Sequence, residues 1–138
     1  MIIAKDGKEC TCGKRGCFEC YGSMKALKEK IKQEYEISEE IHSRELMQIL
    51  EENTEKSNKI LNEYLDYLTI GISNLVDLFE PEIVSIGGSF AYYKELFLDK
   101  FINKMYTENV TFNNRKDLKI VLATEQNDAG ILGAVIEV

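Results

Sequence analysis

The chain has 138 residues, 44% of them apolar, and a formal net charge of −7. That length suits one domain with a packed core, and the acidity argues against a general nucleic-acid or anionic-membrane surface. No apolar run approaches the ~20 residues that span a bilayer. Met1-Ile2-Ile3-Ala4 is too short for a secretory signal and has no basic segment before it, so a cytoplasmic location with reduced thiols is expected.

Met1 to Ala4 reads as the end of a strand, closed by a turn at Lys5-Asp6-Gly7-Lys8. Then comes Cys10-Thr11-Cys12-Gly13-Lys14-Arg15-Gly16-Cys17-Phe18-Glu19-Cys20, which holds all four cysteines of the chain within eleven residues. A short Gly-containing loop can aim several thiolates at one point, as tetrahedral Zn²⁺ requires, and two glycines relax the turn. Two other readings compete. A disulfide framework suits secreted chains, and the rest of this one has no Cys to staple. A Cys17–Cys20 redox pair leaves Cys10 and Cys12 unexplained. Metal binding uses the whole cluster, and Glu19 is a carboxylate that a rigid metal loop would hold in place. Cys20 either completes a Cys₄ site or is a small buried apolar residue. Lys14 and Arg15 at the loop tip point to solvent. His42, the single histidine, reads as a surface residue rather than a ligand.

Ser23 caps a helix in which Met24, Leu27, Ile31 and Tyr35 share a face. Ser38 to Ser43 reads as an acidic connector with a turn of helix. A short helix after Ser43 turns Leu46, Met47 and Leu50 inward. The longest helix runs from Thr54 to Phe79, with an apolar stripe of Leu61, Leu65, Leu68, Ile72, Leu75 and Phe79 that fits a core or interface helix better than a coiled coil. Glu80-Pro81 ends it, because the residue before proline avoids helical geometry. Ile83 to Ile86 is a β-branched strand. Gly87-Gly88-Ser89 then turns into a helix carrying Phe90, Tyr93, Phe97 and Phe101 along one side. A loop from Asn109 to Lys116 precedes a strand from Leu118 to Ala123, and Asp128-Ala129-Gly130-Ile131-Leu132-Gly133-Ala134 opens a small-residue helix.

Strand, Gly-Gly-Ser, helix is a second chemical signal. Glycines let a phosphate approach the backbone, and the N–H groups of the next helix favour anions. The same pattern also serves as a plain tight turn. There is no repeat and no internal domain boundary. Helices separated by about three strands define an α/β class, with a sheet too small for its helices, so part of the architecture is expected to be absent.

In order along the chain, these pieces resemble the ROK family of sugar kinases, glucokinases and sugar-responsive repressors. The family signature CxCGxxGCxE stands here as Cys10 to Glu19, with Ser23 beyond it. Glu80-Pro81-Glu82-Ile83-Val84, Ile86-Gly87-Gly88 and Asp128 to Ala134 match later landmarks. The resemblance covers essentially the whole chain. It implies an actin-like (RNase H-like) ATPase fold of which the chain is most of the C-terminal lobe, truncated before the N-terminal lobe. It implies zinc held by Cys10, Cys12 and Cys17 and by a histidine that would fall just before Met1. It also implies that Glu19 hydrogen-bonds a sugar hydroxyl and that Gly87 and Gly88 lie near the nucleotide of ATP/Mg²⁺. The family's Asp-x-Gly-x-Thr phosphate loop and general-base aspartate have no match here. The implied function is therefore a lobe of an ATP-dependent hexose kinase that is inactive alone, with no catalytic residue in this chain.

Two rivals stand beside that reading. One is a lobe of a ROK-type transcriptional repressor, the only case in which nucleic acid would be a partner. The other is a stand-alone zinc-stabilised interaction module. A homodimer is expected, because removing a lobe exposes apolar surface; no membrane partner is.

Overall fold

The structure, a computed structural model, describes residues 1–88, 90, 94–108 and 118–123. In order these form helices α1 (Glu19–Gly22), α2 (Met24–Glu34), α3 (Ser43–Glu51) and α4 (Glu55–Phe79), then strand β1 (Ile83–Ile86). Helix α5 (Lys94–Asn103) follows and runs into a π-helical turn (Lys104–Glu108) ahead of strand β2 (Lys119–Leu122). The strands pair in parallel, with Ile83 opposite Lys119 and Ile86 opposite Leu122, so the described part is helix-rich with a small α/β sheet. Ser89, Tyr93, the loop from Asn109 to Lys116 and the Asp128–Ala134 helix expected from the sequence lie outside the described residues.

Side-chain caps start the helices where the sequence places them. Ser23 Oγ accepts the Ala26 N–H at 3.1 Å, and Thr54 Oγ1 accepts the Ser57 N–H at 3.1 Å; each satisfies a donor that the first helical turn leaves open. Leu27 and Ile31 of α2 and Leu46 and Leu50 of α3 are buried as their spacing requires. The connector differs from expectation. Residues 38–42 make no helical turn, because His42 must be extended (φ −81°, ψ 166°) to begin α3, where its N–H donates to Glu45 Oε2 at 2.9 Å. This extended path carries Ile41 into the core.

Helix α4 is the backbone of the molecule. It buries Ile60, Leu61, Tyr64, Leu65, Leu68, Gly71 and Val76, but the expected stripe fails at its end: Leu75 is 38% and Phe79 is 69% exposed. A strict alternation of threes and fours advances by 3.5 residues per turn, whereas a straight helix needs 3.6, so the stripe drifts ~20° per heptad off the buried face. The face moves to Ser73 and Val76, and the Ser73 hydroxyl meets Met105 Sδ of the π turn at 3.9 Å. Glu80 then ends the helix in the left-handed region (φ 46°, ψ 50°), immediately before Pro81.

Beyond the sheet, Phe90, Phe97, Phe101 and Met105 fill the space between α4 and α5. The Phe90 and Phe97 rings stack with centroids 5.2 Å apart, and Tyr64 of α4 lies 6.0 Å from Phe97, in the range of favourable aromatic pairs. The Tyr106 hydroxyl donates to Leu118 O at 2.5 Å and ties the π turn to the entry of β2.

Candidate functional site

The cysteine loop folds as a tight antiparallel knuckle, and Met1 to Ala4, expected as the end of a strand, contribute only an isolated bridge to it. Ile2 bridges Cys17 and Glu9 bridges Arg15; the Cys10 N–H donates to Lys14 O at 2.8 Å and the Gly13 N–H to Cys10 O at 2.9 Å. Gly16 lies at its narrowest point. Its φ is +73°, and a β-carbon there would sit 1.7 Å from Ala4 O, so no other residue fits.

This knuckle gathers the three predicted thiols. The Sγ atoms of Cys10, Cys12 and Cys17 all lie within 4.8 Å of one another, the one such group found among the described residues. Cys12 and Cys17 are 3.6 Å apart. Zn–S bonds of ~2.3 Å in a tetrahedron put sulfurs about 3.8 Å apart, so the donor set suits Zn²⁺ in both chemistry and spacing. Hydrogen bonding divides the protons among them. The Cys12 backbone N–H, and then its thiol, draw Cys10 down to about 7. Cys17 is pushed up to about 11 by its hydrogen bond to Cys12 and by desolvation. A dication at the centre would displace those protons, as metal binding to thiols does.

Cys20 stands outside the trio, with its thiol donating to Glu9 O at 3.5 Å; burial, and after it the Cys10 thiol, raises its pKa. His42 is the N-cap of α3 and is not part of the cluster. Arg15 at the loop tip pairs with Glu9 at 2.6 Å, both exposed.

Glu19 begins α1 directly after Cys17 and Phe18 and is exposed. With Cys10, Thr11, Cys20, Ser23 and Lys25 it lines a cavity of about 160 Å³. Sites that enclose a whole ligand run to ~300–1,000 Å³, so this cavity alone would not enclose one. Gly87 and Gly88 lie at the carboxyl end of β1, the end at which open parallel sheets bind ligands. Gly88 has φ +67°, and among the described residues nothing lies within 4 Å of a β-carbon built on it.

Sequence reasoning missed what holds the knuckle in place. The Phe18 ring packs against Gly22 and Gly71, Tyr21 stacks on Tyr67 with centroids 4.5 Å apart, and Tyr64 donates to Gly22 O at 3.0 Å. Tyr21 also accepts the Lys8 N–H at 2.7 Å. One signal was available: a glycine inside a long helix costs ~1 kcal/mol against alanine, which makes Gly71 the mark of a close approach.

The knuckle, the α4 platform and the parallel strands match a known architecture. The ROK family model covers residues 1–138, and the chain belongs to the ROK family. A crystal structure of a ROK family glucokinase from Streptomyces griseus, in complex with glucose and AMPPNP, superposes with a TM-score of 0.78 at 22% identity, over 97% of this chain and 48% of that one. The described part thus shares the fold of the matched half of that ROK family protein. The xylose repressor of Caldicellulosiruptor bescii is 31% identical over 133 residues, 82% of this chain and 33% of the repressor. The glucokinase of Thermotoga maritima is 23% identical over 146 residues, 97% of this chain and 46% of the kinase. The chain spans about a fifth to a half of the length of the relatives it matches. Its relatives therefore include both sugar kinases and sugar-named repressors. No helix among the described residues is long and apolar enough to cross a membrane.

Proposed function

We propose that the chain is the sugar-binding lobe of an ATP-dependent hexose kinase of glucokinase type. The observation that carries this is Glu19, an exposed carboxylate at the head of α1 that lines the same cleft as Cys10 and Cys20. A carboxylate accepts hydrogen bonds from paired sugar hydroxyls, and such charge-assisted bonds are about twice as strong as neutral ones. Cys10, Cys12 and Cys17 would hold Zn²⁺, which supplies a rigid cross-link and no reactive step. Gly88, with no described residue within 4 Å of a β-carbon built on it, and Gly87 beside it would receive a nucleotide phosphate. Phosphoryl transfer further needs Mg²⁺, a phosphate loop and a base that orients the attacking hydroxyl. No residue of this chain takes those parts, so they belong to the amino-terminal lobe of the kinase in this reading. Such a protein would work in the cytoplasm and as a homodimer, to which the exposed Leu78 and Phe79 could contribute.

The 31% identity to a xylose repressor favours a second reading, in which the same lobe senses a sugar for a DNA-binding protein. Saturation-transfer NMR on the zinc-loaded chain tests the common premise with glucose, N-acetylglucosamine and xylose. Transfer to a sugar, abolished in Glu19→Gln, is expected; no transfer to any of them rejects both readings. Joining the chain to a ROK kinase amino-terminal lobe and following ADP release separates the two: sugar-dependent turnover is expected for the kinase, and binding without turnover selects the repressor.

A further inference from the structure

Phe18 stands between the last thiol of the trio and Glu19, and two helices close on its ring. A β-carbon at Gly22 of α1 would lie 2.3 Å from Phe18 Cε2; one at Gly71 of α4 would lie 2.3 Å from Cε2 and 2.4 Å from Cζ. Real β-carbons do not approach carbon atoms so closely, so both helices give up their side chains to admit one ring. The α4 face that receives it is the one carrying Tyr64 and Tyr67, at the helical spacings of three and four that align neighbours. Tyr64 fixes the end of α1 through Gly22 O, and Tyr67 fixes Tyr21. Turning or sliding α1 over α4 therefore drives the Phe18 ring into backbone. Glu19, bonded directly to Phe18, moves only as the ring allows.

We propose that Phe18 is a positioning residue for Glu19: keyed between Gly22 and Gly71, it lets helix α4, and not the metal loop alone, set where the carboxylate stands. The inference rests on the reading of Glu19 as a sugar-binding group. It predicts that a methyl group on a helix outside the cleft weakens sugar binding while the thiol site stays intact.

The test uses the 138-residue chain loaded with zinc, with sugar affinity from saturation-transfer titration, zinc per chain from metal analysis and the Glu19 amide resonance from a ¹⁵N-labelled sample. In Gly71→Ala the affinity is expected to fall about tenfold, the worth of one hydrogen bond to a charged acceptor. Zinc content stays unchanged and the Glu19 resonance moves. Adding Phe18→Leu, which removes the clashing ring atoms, restores affinity to within about threefold of wild type, the non-additivity expected of residues in contact. Should Gly71→Ala lower the melting temperature yet leave affinity and the Glu19 resonance untouched, or should the double variant fail to recover, the keying is wrong. If Gly71→Ala does not fold, Phe18→Leu alone decides: with zinc retained, the Glu19 resonance must shift, and an unshifted one overturns the proposal. A wild-type chain that takes up no sugar overturns the function proposed for Glu19. The keying is then judged on the Glu19 resonance alone, which must still move and return.

Discussion

At Gly16 two constraints coincide, a positive φ and the Ala4 carbonyl pressed against the place a side chain would occupy. Gly13 has the first constraint without the second, since its φ is +81° but no described residue lies within 4 Å of a β-carbon built there. Gly16→Ala should therefore cost about 2–3 kcal/mol or more and Gly13→Ala about 1–2, a difference that thermal melts of the two variants would show. Cys12→Ser should take zinc from about one ion per chain to nearly none, since removing one of three gathered thiolates breaks a chelate; metal analysis checks it. At this scale the gathering of thiols was legible from their closeness in one short loop, though spacing left Cys20 open and the resemblance singled out Cys10, Cys12 and Cys17. The clasp on Phe18 was not. Its meaning lies in a contact between residues 18 and 71, and only the unexplained cost of a mid-helix glycine hinted at it.

Among the elements, α4 carries the most weight. Thr54→Ala removes the cap on its first turn and should cost about 1 kcal/mol. Leu65→Ala empties a fully buried position and should cost about 2–5 kcal/mol. Leu78→Ala, at a position 72% exposed, should stay within about 0.5 kcal/mol. Urea titrations of the three variants would reveal this order, and a large loss at Leu78 would mean that the face is covered in solution. Helix starts and ends were legible from Ser23, Thr54 and Pro81, whose local chemistry acts within a turn. The phase of the buried face was not, since the drift of a straight helix over 25 residues outgrows any stripe read as a fixed repeat.

For the whole molecule, the zinc proposed for the thiol trio is expected to govern one end only. Residues 1–17 are held by the knuckle's few backbone bonds, by the Lys8–Tyr21 hydrogen bond and by what the thiols would gather, with Phe18 as their anchor on α4, whereas the Phe90, Phe97 and Phe101 cluster lies in the core beyond them. Chelation of zinc should expose the amides of the knuckle to hydrogen exchange while the amides of α4 and α5 stay protected. Uniform loss of protection would show that the loop stabilises the entire domain. Family membership was legible from the order of short motifs. The choice between kinase and repressor was not, because a phosphate loop with its base, or a DNA-reading helix, would decide it, and these 138 residues contain neither.

The parallel pairing of β1 with β2 has a consequence for the order of assembly. A hairpin can zip from its turn, but parallel neighbours meet only after the chain between them has crossed over, here by way of α5 and the π turn. Closing so long a loop is slow compared with forming local helices. On refolding, α2 to α4 should gain their structure first, the aromatic cluster next, and the strand amides last. Pulse-labelling during renaturation would then find the Gly87–Gly88 end of the molecule as the latest part to mature.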